Sequence, residues 1–325
     1  MKLFIYEHIT SGALINEALP ASLAHEGDVM LQSIVKDLLA TRQASLTTLR
    51  DHRLPALNFA GLACLTVKSY QDFSHLWQQA LNDFDLFFVI APETDGQLLT
   101  LHQQVHDAGK IALGCSLTAI EICSDKIKSA STLKAASIAT PATWRACDWL
   151  KHTEIANRWV VKPADGAGCL DTMLIETTAQ TRRYIAQLPL QQRQRTIVQP
   201  FIEGDAISIS LYVNNQDSFE LLSINRQHIS VDHQQMTLTG VSVNSVPEAL
   251  FSFEQAATLS RTLIQAIPGL HGFVGVDVIL ASQQAVVIEI NPRLTKAYAG
   301  LSVAKNSNMA DYIVSTVSQL SGKTS

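Results

Sequence analysis

Two apolar blocks near the C-terminal end, GFVGVDVIL (272–280) and AVVIEINPRL (285–294), constrain the chain most. Both are rich in β-branched residues, and each reads as a buried strand. Yet the first holds Asp277, and the second holds Glu289 and Asn291. A lone buried charge costs several kcal/mol unless it is paired or bound to a cation. Glu289 and Asn291 are two residues apart, so their side chains leave one face of a strand. If the two strands are antiparallel neighbours, Asp277 joins them. Three hard oxygen donors then face one point, which suits a Mg²⁺ ion shared between protein and substrate phosphates. The plain alternative is a strand end whose polar residues sit at a turn. The rest of the chain decides against it by supplying matching parts.

A chain of 325 residues exceeds what one core usually serves, so two or three subdomains are expected. Apolar residues make up 47% and charged residues 16%, the balance of a compact enzyme rather than a disordered chain. The net charge is −5, and no basic run or basic–aromatic stripe occurs, which argues against a nucleic-acid partner. MKLFIYE meets Glu7 at once and reads as a strand, not a signal peptide. No apolar run approaches the roughly 20 residues that span a bilayer, so no membrane role is expected. Five scattered cysteines without a C-x-x-C point to reduced thiols and a cytoplasmic location.

Residues 1–118 alternate strand and helix signals, predicting an N-terminal α/β domain with a parallel sheet. Strands are expected at KLFIYE, LACLTVK, DLFFVIAP and KIALGC. Helices are expected at ASLAHEGDVMLQSIVKDLLA, SHLWQQALND and GQLLTLHQQVHDAG, the last ended by Gly109. Ligands of such sheets collect at the carboxyl ends of strands, here Glu7 to Gly12 and Pro92 to Asp95. A long helical stretch, SLTAIEICSDKIKSASTLKAASI, has a restart signal at Ser124–Asp125. Residues 119–198 then read as a small αβ unit with its linking helix, and 199–325 as a strand-rich C-terminal unit. The expected fold class is therefore α/β followed by α+β.

Neither G-x-x-x-x-G-K-[ST] nor G-x-G-x-x-G occurs, so any phosphate cradle is of another kind. Lys162 ends a β-branched strand and precedes Pro163 and the loop Asp165-Gly166-Ala167-Gly168. A lysine fixed on a sheet and aimed at a glycine loop is a good phosphate clamp, since loop N–H groups can close over the anion. Lys126 is a second candidate cation. Taken alone, Lys162 reads equally as an edge lysine before an ordinary turn, and Lys126 reads more readily as a solvated helix lysine.

The ordered set SDK (124–126), VVKP with DGAG (160–168), QPFIEGDAIS (199–208), GVD (275–277) and EINPR (289–293) resembles the ATP-grasp superfamily over roughly residues 120–300. Each motif is weak alone, and the order and spacing make the signal. The resemblance implies a leading α/β domain and two α+β subdomains that enclose ATP. It implies that Lys126, Lys162, Gly166 and Gly168 contact the phosphates, and that Gln199 with the Phe201–Ile202 backbone reads adenine. It implies Asp277, Glu289 and Asn291 as ligands of Mg²⁺, or of Mn²⁺ in its place. Arg293 would steady the transferred phosphate. The family often has a ribose-binding glutamate where this chain has Ala206, so Asp205 or Glu203 is expected to take that contact. The glycine common before the position of Ile138 is also missing.

FIYEHITSGALIN, EGDVMLQSIVKDL, INRQ (224–227) and NPRLTKAYAGL are similar to a narrower group, the tyramine–glutamate ligase type of methanofuran-like cofactor biosynthesis. The expected activity is then an ATP-dependent, ADP-producing carboxylate–amine ligase working through an acyl phosphate. Small-molecule acid and amine substrates are its partners, and glutamate with a tyramine-like amine is the pair this resemblance implies. Arg226 is assigned to a substrate carboxylate, which a guanidinium binds with two hydrogen bonds. A hairpin corner at Asn225 and Arg226 is the alternative. The other functional readings are an ATP-grasp kinase or phosphotransferase and a non-catalytic nucleotide-binding module. Among the histidines near motifs, His8, His228, His233 and His271 are expected mostly at the surface. A homodimer is the default assembly.

Overall fold

A computed structural model describes residues 1–152, 156–166, 168–282 and 284–322. The first part of the chain runs β1 (Lys2–Glu7), α1 (Ala21–Ala40), β2 (Ser45–Asp51), β3 (Leu62–Val67), α2 (Tyr70–Asp83), β4 (Leu86–Ile90), α3 (Gln97–Asp107) and β5 (Ile111–Ala112). The strands form a five-stranded parallel sheet in the order β3-β2-β1-β4-β5. Alternation along β1 explains its position. Leu3 and Ile5 pack with Leu31, Ile34 and Leu38 of α1, whereas Phe4 and Tyr6 pack on the other face with Trp77 of α2 and Leu98 of α3. Each such buried side chain contributes about 1.5–3 kcal/mol. The chain winds outward from β1 on one side and resumes at β4 on the other. The carboxyl ends of β1 and β4 therefore flank a topological switch point, where open α/β sheets bind ligands.

Next come α4 (Leu117–Ser124), α5 (Lys126–Ala135), β6 (Trp144–Arg145), α6 (Ala146–Trp149), β7 (Trp159–Pro163), β8 (Thr172–Ile175), α7 (Thr178–Gln187), α8 (Leu190–Arg195) and β9 (Thr196–Pro200). The break between α4 and α5 falls at Asp125, whose side chain accepts from the Ile127 and Lys128 N–H groups. Trp149, Trp159, Val161, Ile185 and Val198 form a separate core for this small unit. The chain ends with β10 (Asp205–Asn215), β11 (Ser218–Asp232), β12 (Gln235–Ser242), α9 (Phe253–Ala266), β13 (Gly272–Ala281), β14 (Gln284–Asn291), α10 (Tyr298–Lys305) and α11 (Asp311–Gly322).

All nine strands after β5 join one antiparallel sheet, β14-β13-β10-β11-β12-β8-β7-β9-β6. Among the described residues its two halves are joined where β12 pairs with β8, through Gln235–Met173 and Met236–Thr172, with the Leu174 N–H donating to the Gln234 carbonyl beside them. So short a ladder permits the halves to face each other across a cleft. Alternate residues Ile207, Ile209, Leu211 and Val213 of β10 bury against α9, which leaves Ser208 and Ser210 on the cleft face. Tyr298 and Ser302 of α10 donate to the Asp37 carboxylate of α1, at 2.9 and 2.6 Å, and tie the C-terminal unit to the N-terminal domain. Among the described residues no helix is long and apolar enough to cross a membrane.

Candidate active site

β13 and β14 are antiparallel neighbours, with Asp277 opposite Glu289 and Gly275 opposite Asn291. Opposed residues share a face, so the three oxygen donors converge. Asn291 Nδ2 donates to Asp277 Oδ2 at 3.2 Å, and Gln227 Nε2 donates to Asp277 Oδ1 at 2.8 Å. Burial and then the neighbouring Glu289 charge push the Asp277 carboxyl up to about 6. Two carboxylates that repel each other in a desolvated place, with an amide oxygen beside them, form a donor set that suits a hard divalent cation.

The two lysines meet the same point from the opposite half of the cleft. Because Asp125 restarts the helix, Lys126 begins α5 with its side chain turned inward and 5% exposed. Its Nζ donates to Glu289 Oε1 at 2.9 Å and to the Gly166 carbonyl at 2.5 Å. A solvated helix lysine is thereby excluded. Lys162 on β7 is 8% exposed. Burial and then the Lys126 charge lower its ammonium to about 8, against the pull of Glu289 and Asp277.

A narrow cavity runs from this cluster between the two halves of the sheet. Lys126, Lys162, Asp277 and Glu289 line one end, and Val160, Gln199, Phe201 and Ile202 line the other. Met236, Leu238 and Ile279 supply apolar wall. Gln199 is buried and donates to Thr143 Oγ1 at 2.8 Å. The Phe201 N–H is engaged by the Arg158 carbonyl at 3.0 Å, whereas the Ile202 N–H has no protein acceptor among the described residues. Of the two named backbone groups, Ile202 is therefore the one open to a base edge. Gly166 and Gly168 line the cavity, with Gly168 at φ +64°. Ala167 of the same loop lies outside the described residues. Asp165 at the loop's start is tied to the N-terminal domain. It accepts from the Asp95 N–H at 2.9 Å, and Arg195 pairs with both aspartates.

The expected ribose contacts do not reach this cavity. Glu203 points to solvent near Arg158, Asp205 pairs with Arg226 at 2.7 Å, and only Ala206 of this segment after Ile202 lines the wall. Arg226 also lines neither cavity. The reason is strand parity. Ser208 of β10 lies opposite both Asn225 and Asp277, so Asn225 and Gln227 share the Asp277 face of the sheet and Arg226 takes the other. Asn225 is no hairpin corner: it is fully buried, donates to Ser208 and Ser210, and accepts from the Asn244 N–H. Gln227, not singled out as a site residue above, lines both cavities and donates to Asp277, and its spacing from Asn225 was the available signal.

A second, wider cavity of about 710 Å³ lies between β13–β14 and the carboxyl ends of β1 and β4. Glu7, His8, Ile90 and Pro92 line it on one side, and Asp277, Asn291 and Arg293 on the other. Asp277, Gln227 and Gly168 line both cavities, so the two join at Asp277. Arg293 donates to Glu93 Oε2 at 2.8 Å, and Glu93 is 2% exposed. Arg293 Nε and Glu93 Oε1 are buried without partners among the described residues. His8 is 7% exposed, which corrects its expected surface position.

The ATP-grasp domain family matches residues 123–297, and the pre ATP-grasp 3 domain family matches residues 44–120. The chain belongs to the ATP-grasp family. Members bind ATP and typically divalent metal ions. This ATP-grasp chain is 26% identical over 296 residues to a tyramine–L-glutamate ligase of Methanocaldococcus jannaschii, covering 90% of this chain and 83% of the relative. Its fold is similar to that of an ATP-grasp superfamily protein from Archaeoglobus fulgidus, with a TM-score of 0.70, 24% identity and 97% and 88% coverage of the two chains. It is also similar to D-alanine–D-alanine ligase from Bacillus anthracis complexed with ATP, with a TM-score of 0.63, 15% identity and full coverage of both chains.

Proposed function

We propose that this chain is an ATP-dependent carboxylate–amine ligase that forms an amide through an acyl phosphate. The observation that supports it best is the junction of the two cavities. Two buried lysines, two half-buried carboxylates, Asn291 and Arg293 meet where the narrow cavity opens into the wide one. ATP in the narrow cavity then presents its terminal phosphate to substrates in the wide one. Lys126 and Lys162 hold the phosphates, and Arg293, oriented by Glu93, faces the transferred group. Catalysis of this kind comes from positioning and charge neutralisation rather than from a protein nucleophile. Asp277, Glu289 and Asn291 would hold Mg²⁺, which supplies positive charge that offsets the phosphate oxygens. The carboxylate oxygen attacks the γ-phosphorus and ADP departs. The amine then displaces phosphate from the acyl carbon.

The tyramine–L-glutamate ligase relatives make L-glutamate and tyramine the first pair to test, with a place in assembling a methanofuran-like carrier if that pair is accepted. All five cysteines are free, which accords with work in the cytoplasm. The deciding assay follows ADP, phosphate and product mass with acid–amine pairs. Amide formed in step with ADP and dependent on both substrates is the expected result. A stable phosphorylated product, or no ATP turnover with any pair, overturns the reading.

A further inference from the structure

We propose that the end of the wide cavity beneath the N-terminal sheet is an ammonium-binding subsite, with the Glu7 carboxylate as its countercharge. The proposal rests on the ligase reading for its substrate class and on Glu7 itself for its location. Glu7 ends β1 at the switch point, is 2% exposed and lines the cavity. Its donors are all neutral: Thr10 N–H at 2.7 Å, Thr10 Oγ1 at 2.6 Å and Ile9 N–H at 3.3 Å. Among the described residues no cation pairs with it. The nearby cations are taken, Lys296 by Glu26, Arg293 by Glu93 and Arg50 by Asp28. Burial accordingly pushes the Glu7 carboxyl up to about 7. A buried carboxylate without a counterion is destabilising, and a cationic ligand group offsets that.

Two further observations point into the same space. Gly27 is the one glycine of α1, and a Cβ there would stand 2.6 Å from the Glu7 carboxylate. A mid-helix glycine costs about 1 kcal/mol relative to alanine, so α1 gives up helix stability where the carboxylate needs room. His8 lines the cavity beside Glu7, with its Nδ1 engaged by the Tyr6 hydroxyl at 3.2 Å. Its Nε2 has no protein partner among the described residues. Burial holds the imidazole down to about 4, so His8 is a neutral hydrogen-bonding group and not the missing cation. Glu7 and His8 both line this cavity, and a carboxylate and a neutral imidazole among its walls suit an ammonium group. That group is either the nucleophilic amine or the α-ammonium of an amino-acid substrate.

Calorimetric titration without ATP turnover separates these sources. The probes are tyramine against 4-ethylphenol, and L-glutamate against glutarate, each pair differing by the ammonium. The wild-type protein should bind the ammonium member of one pair at least tenfold more tightly, and that pair names the source. Glu7→Gln keeps the shape and an acceptor for Thr10, and should bring the preference within threefold. Gly27→Ala, which displaces the carboxylate, should reduce it as well and serves if Glu7→Gln fails to fold. No ammonium preference in either pair, no binding of either pair, or a preference that survives both variants overturns the subsite. Ammonium preference in a protein that never releases ADP would sink the ligase reading and leave the subsite standing.

Discussion

Glu289→Gln separates charge from shape at the centre of the site. The side chain is 14% exposed and its partner Lys126 5%. Breaking a buried ion pair by truncation costs about 3–5 kcal/mol. Glutamine still accepts a hydrogen bond, and Lys126 keeps the Gly166 carbonyl. Relief of the repulsion on Asp277 offsets part of what remains, leaving about 1–2 kcal/mol. At about 2–4 °C per kcal/mol for a large domain, the melting temperature should fall by only a few degrees. Activity should fall far more. Loss of a partner behind a metal ligand already costs about 10–100-fold, so loss of a direct donor should lower kcat/KM by about 100-fold or more, equivalent to about 2.7 kcal/mol. The variant also carries a pH signature. Asp277 sits at about 6 through burial and then Glu289. Without the second cause its pKa falls, so the acid limb of residual kcat/KM should move to lower pH. Coupled ADP release across pH, with thermal melting as control, reads all three quantities. Wild-type-like ADP release from a folded variant would refute the metal assignment.

Lys162→Ala should weaken ATP binding at least tenfold while binding of the acid substrate stays within threefold, by separate calorimetric titrations. An unchanged ATP affinity would move the phosphate site elsewhere. The free enzyme should show a bell-shaped kcat/KM profile. Asp277, at about 6, must lose its proton to hold a cation, and Lys162, at about 8, must keep its own to face phosphate. Activity therefore rises through the first value and declines above the second, and a profile flat from pH 5 to 9 contradicts both roles. Arg293→Ala should lower kcat at least tenfold, whereas Arg226→Ala, outside both cavities, should change neither kcat nor KM by more than twofold. A rise in KM for the acid would restore Arg226 to the substrate. Amide hydrogen exchange across 165–169 should slow on adding nucleotide, because a loop that closes over an acyl phosphate keeps water out. Equal exchange with and without ATP argues against a closing loop.

The pairing of β13 with β14 and the convergence of Asp277, Glu289 and Asn291 were legible because a carboxylate inside a β-branched run has few explanations other than function. Lys126 was half legible. Asp125 announced a helix restart, but only the fold shows that the restart turns Lys126 toward Glu289. β2, SLTTLRD, is not among the expected strands, and it carries the charged pair Arg50 and Asp51. Both are buried and paired, with Asp28 and Arg53. A paired charge hides a strand from any reading based on apolar pattern. β12 was missed for a related reason: half-buried across its length, it lacks a clear apolar face.

Arg226 shows where local reasoning stops. Its chemistry suits a carboxylate, and it stands beside two residues that do face the site. Strand parity excludes it, and parity is readable only relative to a fixed point. That point is Ser208, which links Asn225 on the adjoining hairpin strand to Asp277 on β13, far along the chain. Without knowing that β10 lies between β11 and β13, either face of INRQ is admissible. A one-residue change of register would exchange Arg226 for Asn225 and Gln227. The same non-local fact explains why Gln227, an unremarkable amide in the sequence, donates to Asp277 at 2.8 Å while the arginine beside it turns away to Asp205.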